Sequence, residues 1–200
     1  MTELDEIRAQ LGRLSDRASI QDLVNRYAMA VDDHDLAAVA GMYTADACFS
    51  RRGRVSTGRD AVLRSLEKSM RRYGPTIHTP HTLVITWDDA DHARGVATGH
   101  AELALHGDLV LAAYRYHDGY RREPEGWQFT RRELRFIYGT RAAALPSAFA
   151  GQLRLRWPDE PASEADLPES LPTWDLDAPG RDAVSGDAVS GDAVSGDAAR

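Results

Sequence analysis

The chain has one cysteine and one lysine. Cys48 alone excludes an internal disulfide and any cysteine-rich metal knot, and fits a reducing cytoplasm. Lys68 is the single lysine among 24 basic residues, a bias of coding rather than of chemistry. No apolar run approaches the roughly 18 residues that cross a bilayer. The opening MTELDEIRAQ is charged from its third residue and lacks the apolar stretch of a secretory leader. A basic surplus is missing as well. The net charge is −7, but residues 158–200 hold eleven of the 31 acids and, of the bases, only Arg181 and Arg200. The preceding body keeps 22 bases against 20 acids, so charge gives no case for a nucleic-acid or membrane partner. No glycine-rich phosphate loop and no nucleophile elbow occurs.

What is present divides after Trp157. Five of the nine prolines lie beyond it, and DAVSG repeats at 182–186, 187–191 and 192–196 before a broken fourth copy. Such small, acidic residues bury too little apolar area to offset their ordering entropy. The expectation is one domain over 1–157 and a disordered acidic tail over 158–200, with a docking segment around Leu171 and Trp174 as the alternative.

Within the body, Thr2 and Asp5 have capping-box spacing, and Leu4, Ile7 and Leu11 recur at helical spacing until Gly12. A second helix is expected from Ser15 or Asp16, with Ile20, Leu23, Val24, Tyr27 and Val31 as its stripe, running into Asp32-Asp33-His34-Asp35. A third covers Leu36 to Tyr43, a short strand Ala47 to Arg51, and a fourth helix after Gly58 carries Val62, Leu63, Leu66 and Met70 on one face. The composition then turns to Thr, Val, Tyr, Phe and Trp. Strands are expected over 76–87, 94–106, 109–121 and 127–138, joined by short turns, which implies an antiparallel meander. Helices first and strands second predict an α+β fold with helices packed on one face of a curved sheet.

Alternation assigns faces. Ala97, Gly99, Ala101, Leu103 and Leu105 form an apolar row that should meet the helices, leaving His100 and His106 outside with Glu102. In the last strand Arg132 shares a face with Leu134 and Phe136, and an arginine on such a row needs a reason.

Candidate chemistry concentrates in AVDDHD at 30–35 and TIHTPH at 76–81. A histidine held by a buried carboxylate is a general base suited to proton abstraction next to a carbonyl, or to elimination. The two stretches are 46 residues apart, so only the fold can join them. The plainer reading makes Asp32–Asp35 a solvated helix end and each histidine a satisfied strand residue. No metal site is expected: His78 and His81 point to opposite faces of a strand, and His34 among its aspartates lacks a second ligand cluster. Cys48 has no adjacent base and reads as a small core residue.

The order A-x-I-x-D-L-V-x-R-Y at 18–27, V-D-D-H-D at 31–35, L-A-A-V-A-G-M-Y-T-A-D-A at 36–47, Gly58-x-x-Ala61-Val62, T-I-H at 76–78 and Gly126-Trp127 resembles SnoaL-like members of the nuclear transport factor 2-like superfamily, over roughly 4–140. The similarity is strongest to hexachlorocyclohexane dehydrochlorinase, scytalone dehydratase and bile-acid 7α-dehydratase, which eliminate HCl or water with a His–Asp pair. The resemblance implies a cone-shaped barrel, open at one end, built from a curved mixed or antiparallel sheet wrapped around N-terminal helices. It implies His78 as base, Asp32 as its carboxylate, Arg132 and Tyr27 as further catalytic groups, and a homodimer or homotrimer through the outer sheet face. Phe49, Tyr114, Tyr116, Leu134, Phe136 and Ala101 are the expected substrate wall. Leu111 or a neighbour stands where scytalone dehydratase has a second pocket histidine, and Thr82 where relatives often have asparagine, so substrate identity does not transfer. Segment 140–157 either covers the pocket mouth or extends the sheet.

The expected function is a cofactor-independent lyase of dehydratase type acting on a small hydrophobic or polycyclic carbonyl compound. A polyketide cyclase or ketosteroid-isomerase-like enzyme, with Asp32 handling the proton, is the first alternative. A non-catalytic ligand-binding or subunit-assembly module is the second; it predicts a missing Asp32–His78 contact or a filled pocket, and stability only with a partner chain would also favour it.

Overall fold

The computed structural model describes residues 2–175, so the DAVSG repeats lie outside the described residues. Helix α1 runs unbroken over Glu3–Asp32, opened by the Thr2–Asp5 capping box. The helix boundary expected at Gly12 is therefore a correction. One glycine between strong helix formers costs only about 1 kcal/mol, too little to stop a capped helix. Its two halves do different work. Leu4, Ile7, Leu11 and Leu14 are exposed, whereas Ile20, Leu23, Val24 and Tyr27 are buried. Asp16 fixes the helix to the sheet by accepting hydrogen bonds from Trp127 Nε1 (3.1 Å) and Arg122 (2.6 Å). That anchor sets where the far end, with Asp32, comes to lie.

Helix α2 (Leu36–Gly41) is capped by Asp35, whose carboxylate accepts from the Ala38 amide. It stops before Tyr43, which begins strand β1 (Tyr43–Arg51) rather than ending a helix as the sequence pattern indicated. A strand not anticipated, β2 (Arg54–Thr57), returns through a two-residue turn in which Arg52 (φ +50°) and Gly53 (φ +74°) are both left-handed. Helix α3 (Arg59–Met70) buries Val62, Leu66 and Met70. Strands β3 (Thr76–Trp87), β4 (His92–Leu105), β5 (Asp108–Glu123) and β6 (Gly126–Arg141) form the expected antiparallel meander.

The sheet order is β2-β1-β6-β5-β4-β3, with β1 parallel to β6. The inner row of β4 is buried over Ala93, Ala97, Ala101, Leu103 and Leu105, with His100 on the opposite, exposed side, as alternation required. Its small members matter most. Gly99 pairs directly with Tyr114, and a Cβ on Gly99 would meet the Tyr114 hydroxyl at 2.6 Å. Glycine there lets the tyrosine ring lie flat across β4. In β3 a register shift between Pro80 and Leu83 leaves His81 and Thr82 both outside and turns Leu83 inward. His78 and His81 thus sit on opposite faces, and His81 meets His100 on the outer face at 2.7 Å.

Segment 140–157 extends the sheet and also reaches the interior. Helix α4 (Leu145–Phe149) leads to β7 (Leu155–Arg156), which pairs with β6, and Trp157 packs over Gly139 and Phe136. Packing does not stop at 157. Leu167 is fully buried, Asp166 accepts from the Phe136 amide (2.8 Å), and Glu169 pairs with the buried Arg154 (2.5 Å). The boundary expected at 157 is corrected accordingly: composition identified a proline-rich acidic stretch but not the one leucine and two acids that bind it down. Leu167→Ala is expected to lower stability by about 2–4 kcal/mol in a urea titration, whereas a loose tail would register no change.

No described helix is long and apolar enough to cross a membrane.

Candidate active site

Asp32 occupies the last turn of α1, where the helix dipole disfavours a carboxylate. Three donors offset that. Its Oδ1 accepts from Thr76 Oγ1 (2.7 Å) and His78 Nδ1 (2.6 Å), and its Oδ2 from the His78 amide (2.7 Å). Burial pushes the Asp32 pKa up, but hydrogen bonds from the His78 ring, the His78 amide and Thr76 outweigh it and leave the group below its ordinary value. An ionised carboxylate only accepts, so the proton of the neutral imidazole resides on Nδ1. Nε2 is then the basic nitrogen. Thr76 lies two residues before His78 on the same face of β3, so one strand supplies both the ring and its aligning hydroxyl.

His78 lines a cavity of about 80 Å³. On a scale where one water needs roughly 10–15 Å³, that accommodates a single-ring body. Tyr27, Phe49, Ala101, Tyr114, Tyr116, Leu134 and Phe136 all line it, so each expected wall residue reaches the same space. Sequence reasoning missed Val31, His34, Arg51, Leu66, Met70, Tyr73, Leu103, Ala112 and Trp157. Five had a signal: Arg51 follows Phe49 at the same-face interval, Val31 belongs to the apolar stripe of α1, Leu103 to the inner row of β4, and Leu66 and Met70 to the apolar face of α3. Tyr73 comes from irregular chain that periodicity does not reach, and Trp157 from segment 140–157, one reading of which is a cover for the pocket mouth.

Burial raises the pKa of Tyr27, Tyr114 and Tyr116 above the ordinary phenol value, so these hydroxyls are neutral donors rather than bases.

Arg132 is the exception among the expected catalytic residues. It is 1% exposed and does not line the 80 Å³ cavity beside His78. Asp118, directly opposite in the β5–β6 register, takes its Nε and Nη2 at 2.9 Å each. The rings of Tyr116, Phe129 and Tyr27 lie 4.0, 4.1 and 4.3 Å from its guanidinium carbon. Burial opposes its charge, and Asp118 more than restores it, raising the pKa well above normal. Among the described residues its Nη1 has no hydrogen-bond partner, and the residue borders a void of about 10 Å³ that His78, Tyr27, Tyr114 and Tyr116 also border. Arg132, which the resemblance implies as a catalytic group, is in the structure a buried ion-pair partner set behind the tyrosines.

A sequence profile described as the SnoaL-like domain matches residues 12–133. Hexachlorocyclohexane dehydrochlorinase LinA-type3 from Novosphingobium barchaimii is 26% identical, with a TM-score of 0.63 over 67% of this chain and 94% of that one. An NTF2-like protein with a cystatin-like fold from Novosphingobium aromaticivorans is 25% identical, with a TM-score of 0.58 over 72% and 96%. A scytalone-dehydratase-like protein from the same organism is 21% identical, with a TM-score of 0.62 over 66% and 91%, a likeness of fold alone. No curated protein matches.

Proposed function

This chain belongs to the SnoaL-like domain family, and on that premise we propose that it is a lyase that eliminates water or a halide from a small carbonyl compound by removing an adjacent proton. The observation that carries this reading is an imidazole tied through Nδ1 to a half-buried carboxylate, on a histidine that lines a largely apolar cavity. His78 Nε2 takes the proton from the carbon next to the carbonyl. The C–H electron pair moves to form the new double bond, and the leaving group departs with the electrons of its own bond. Asp32 keeps the ring in the Nδ1–H tautomer and stabilises the imidazolium. Tyr114 or Tyr27, as a neutral donor, supports the carbonyl oxygen as negative charge develops, an effect worth a few kcal/mol per donor. The chemistry needs no cofactor. The similarity to a dehydrochlorinase supports elimination as the reaction type.

The isomerase-like alternative asks Asp32 to shuttle the proton. A carboxylate that already accepts three hydrogen bonds and sits below its ordinary pKa is a weak base, which disfavours that reading. The binding-module alternative predicts a missing contact or a filled pocket; the Asp32–His78 contact and the open cavity count against it.

Asp32→Asn tests the proposal. Asparagine has a single acceptor oxygen, and its amide hydrogens oppose the Nδ1–H of His78, so the ring shifts to the Nε2–H tautomer and loses its basic lone pair. Turnover of β-hydroxy or β-halo carbonyl compounds, followed as enone absorbance or halide release, is expected to fall at least a hundredfold. A rate within threefold of the parent overturns the reading. Because the folded pKa of Asp32 is depressed, its stabilisation is complete above the unfolded value near 4 and is lost only as pH falls through the folded value. The variant should lack that acid-side loss in thermal melts.

A further inference from the structure

We propose that the molecule taken by this site is an anion, with a ring-sized apolar body in the cavity and a carboxylate, sulfate or phosphate group held at the mouth by Arg51, assisted by Arg54. The inference rests on reading the cavity as the substrate site and adds the substrate's charge. Arg51 stands two residues beyond Phe49 on the same face of β1, so the strand that builds the apolar wall ends in a cation at its rim. Outside lies a second hollow of about 240 Å³. Arg51, Tyr73, Phe136 and Trp157 border both spaces, and Arg52, Arg54, Arg72 and one acid, Glu160, complete the outer one.

The arginines there are not equivalent. Arg52 is bound by Glu160 and Ser163, and Arg72 by Asp159 and Glu160. Among the described residues, no acid pairs with Arg51 or Arg54. The hairpin bringing those two together carries local costs. They stand directly opposite one another in the β1–β2 register, where like charges repel, and the turn between them holds Arg52 in the left-handed region. Nothing in the described chain offsets this juxtaposition, and broken local rules of that kind collect at functional sites. A guanidinium matches the planar or tetrahedral oxygens of an oxyanion with paired donors. Tyr73 adds a donor: burial raises its pKa, more than the neighbouring arginines lower it, so its hydroxyl stays protonated at the same rim.

A matched pair of single-ring ligands tests this: the anion benzenesulfonate and neutral benzenesulfonamide, titrated calorimetrically into the full chain at low salt. The sulfonate is expected to bind at least tenfold more tightly, with the preference shrinking as salt rises. Arg51→Gln should weaken the sulfonate about tenfold and the neutral probe less than twofold; Arg51→Gln with Arg54→Gln should abolish the preference. Melting temperatures should not fall, since removing either cation relieves a repulsion. Displacement of the sulfonate by benzoate, by phenyl phosphate and by neutral benzyl alcohol separates carboxylate from phosphate. Equal potency of the alcohol, equal affinity of the two probes, or an Arg51→Gln variant that keeps its preference would each overturn the proposal. The probes do not react, so the outcomes separate cleanly. Turnover lost in His78→Ala without an anion preference removes the subsite and leaves the chemistry standing; the converse pattern removes the chemistry and keeps the subsite.

Discussion

Replacing His78 with alanine is expected to lower kcat by 10²–10⁴-fold, the range that a positioned general base supplies, while the melting temperature stays within about 3 °C. The two effects separate because the side chain and the backbone of His78 do different jobs. The amide of residue 78 and the hydroxyl of Thr76 continue to donate to Asp32, so the end of α1 stays docked on β3. What disappears is the imidazole that lines the cavity, and with it Nε2. The truncation also leaves room for a small base, so added imidazole should restore part of the rate. That rescue distinguishes lost proton transfer from altered shape. Activity within tenfold of the parent, or a loss that imidazole leaves untouched, would remove His78 as the base. The isomerase-like alternative would then regain its footing, because it needs only the carboxylate.

The pairing of Asp32 with His78 was legible as two residue types but not as a contact, since 46 residues separate them and the meeting depends on where α1 crosses β3. That crossing is set by remote anchors such as Asp16 on Trp127 and Arg122, which no local pattern encodes. Within single strands the sequence was far more readable. The row Ala97, Gly99, Ala101, Leu103 fixed the inner face of β4, and its small side chains are the reason space remains beside Tyr114. The same alternation applied to β5 places Asp118 inside between Tyr116 and Tyr120, so the partner of Arg132 was within reach of the argument that had flagged Arg132 itself. Strand β2 and the packed stretch 158–171 escaped for a different reason. Each is held by a few side chains at special positions, such as Arg52-Gly53 in a tight turn or Leu167 in a cleft, and neither has a period long enough to register.

Asp118→Ala is expected to be the most destabilising substitution of a polar residue in the chain, costing about 3–5 kcal/mol and roughly 10 °C in melting temperature. It would strand the Arg132 guanidinium among Tyr27, Tyr116 and Phe129 with no counter-charge and with three nitrogens unpaired instead of one. Removing both charges is a different experiment. Asp118→Leu combined with Arg132→Met replaces a desolvated ion pair with hydrocarbon of similar volume, and such exchanges are often neutral or stabilising. The double variant should recover most of the lost stability in the same denaturation assay; failure to do so would show that the pair contributes more than mutual compensation. Its activity then decides what the cation is for. Arg132 lies behind the tyrosines that reach the cavity, so any effect on the chemistry is transmitted through their hydroxyls, as a nearby positive charge making a phenol a stronger donor. A stable double variant with near-parental turnover would make the pair a device of folding alone. A stable double variant that has lost turnover would mean that the charge is buried there to act on the reaction through Tyr27 and Tyr116, and that its stability cost is borne for that purpose.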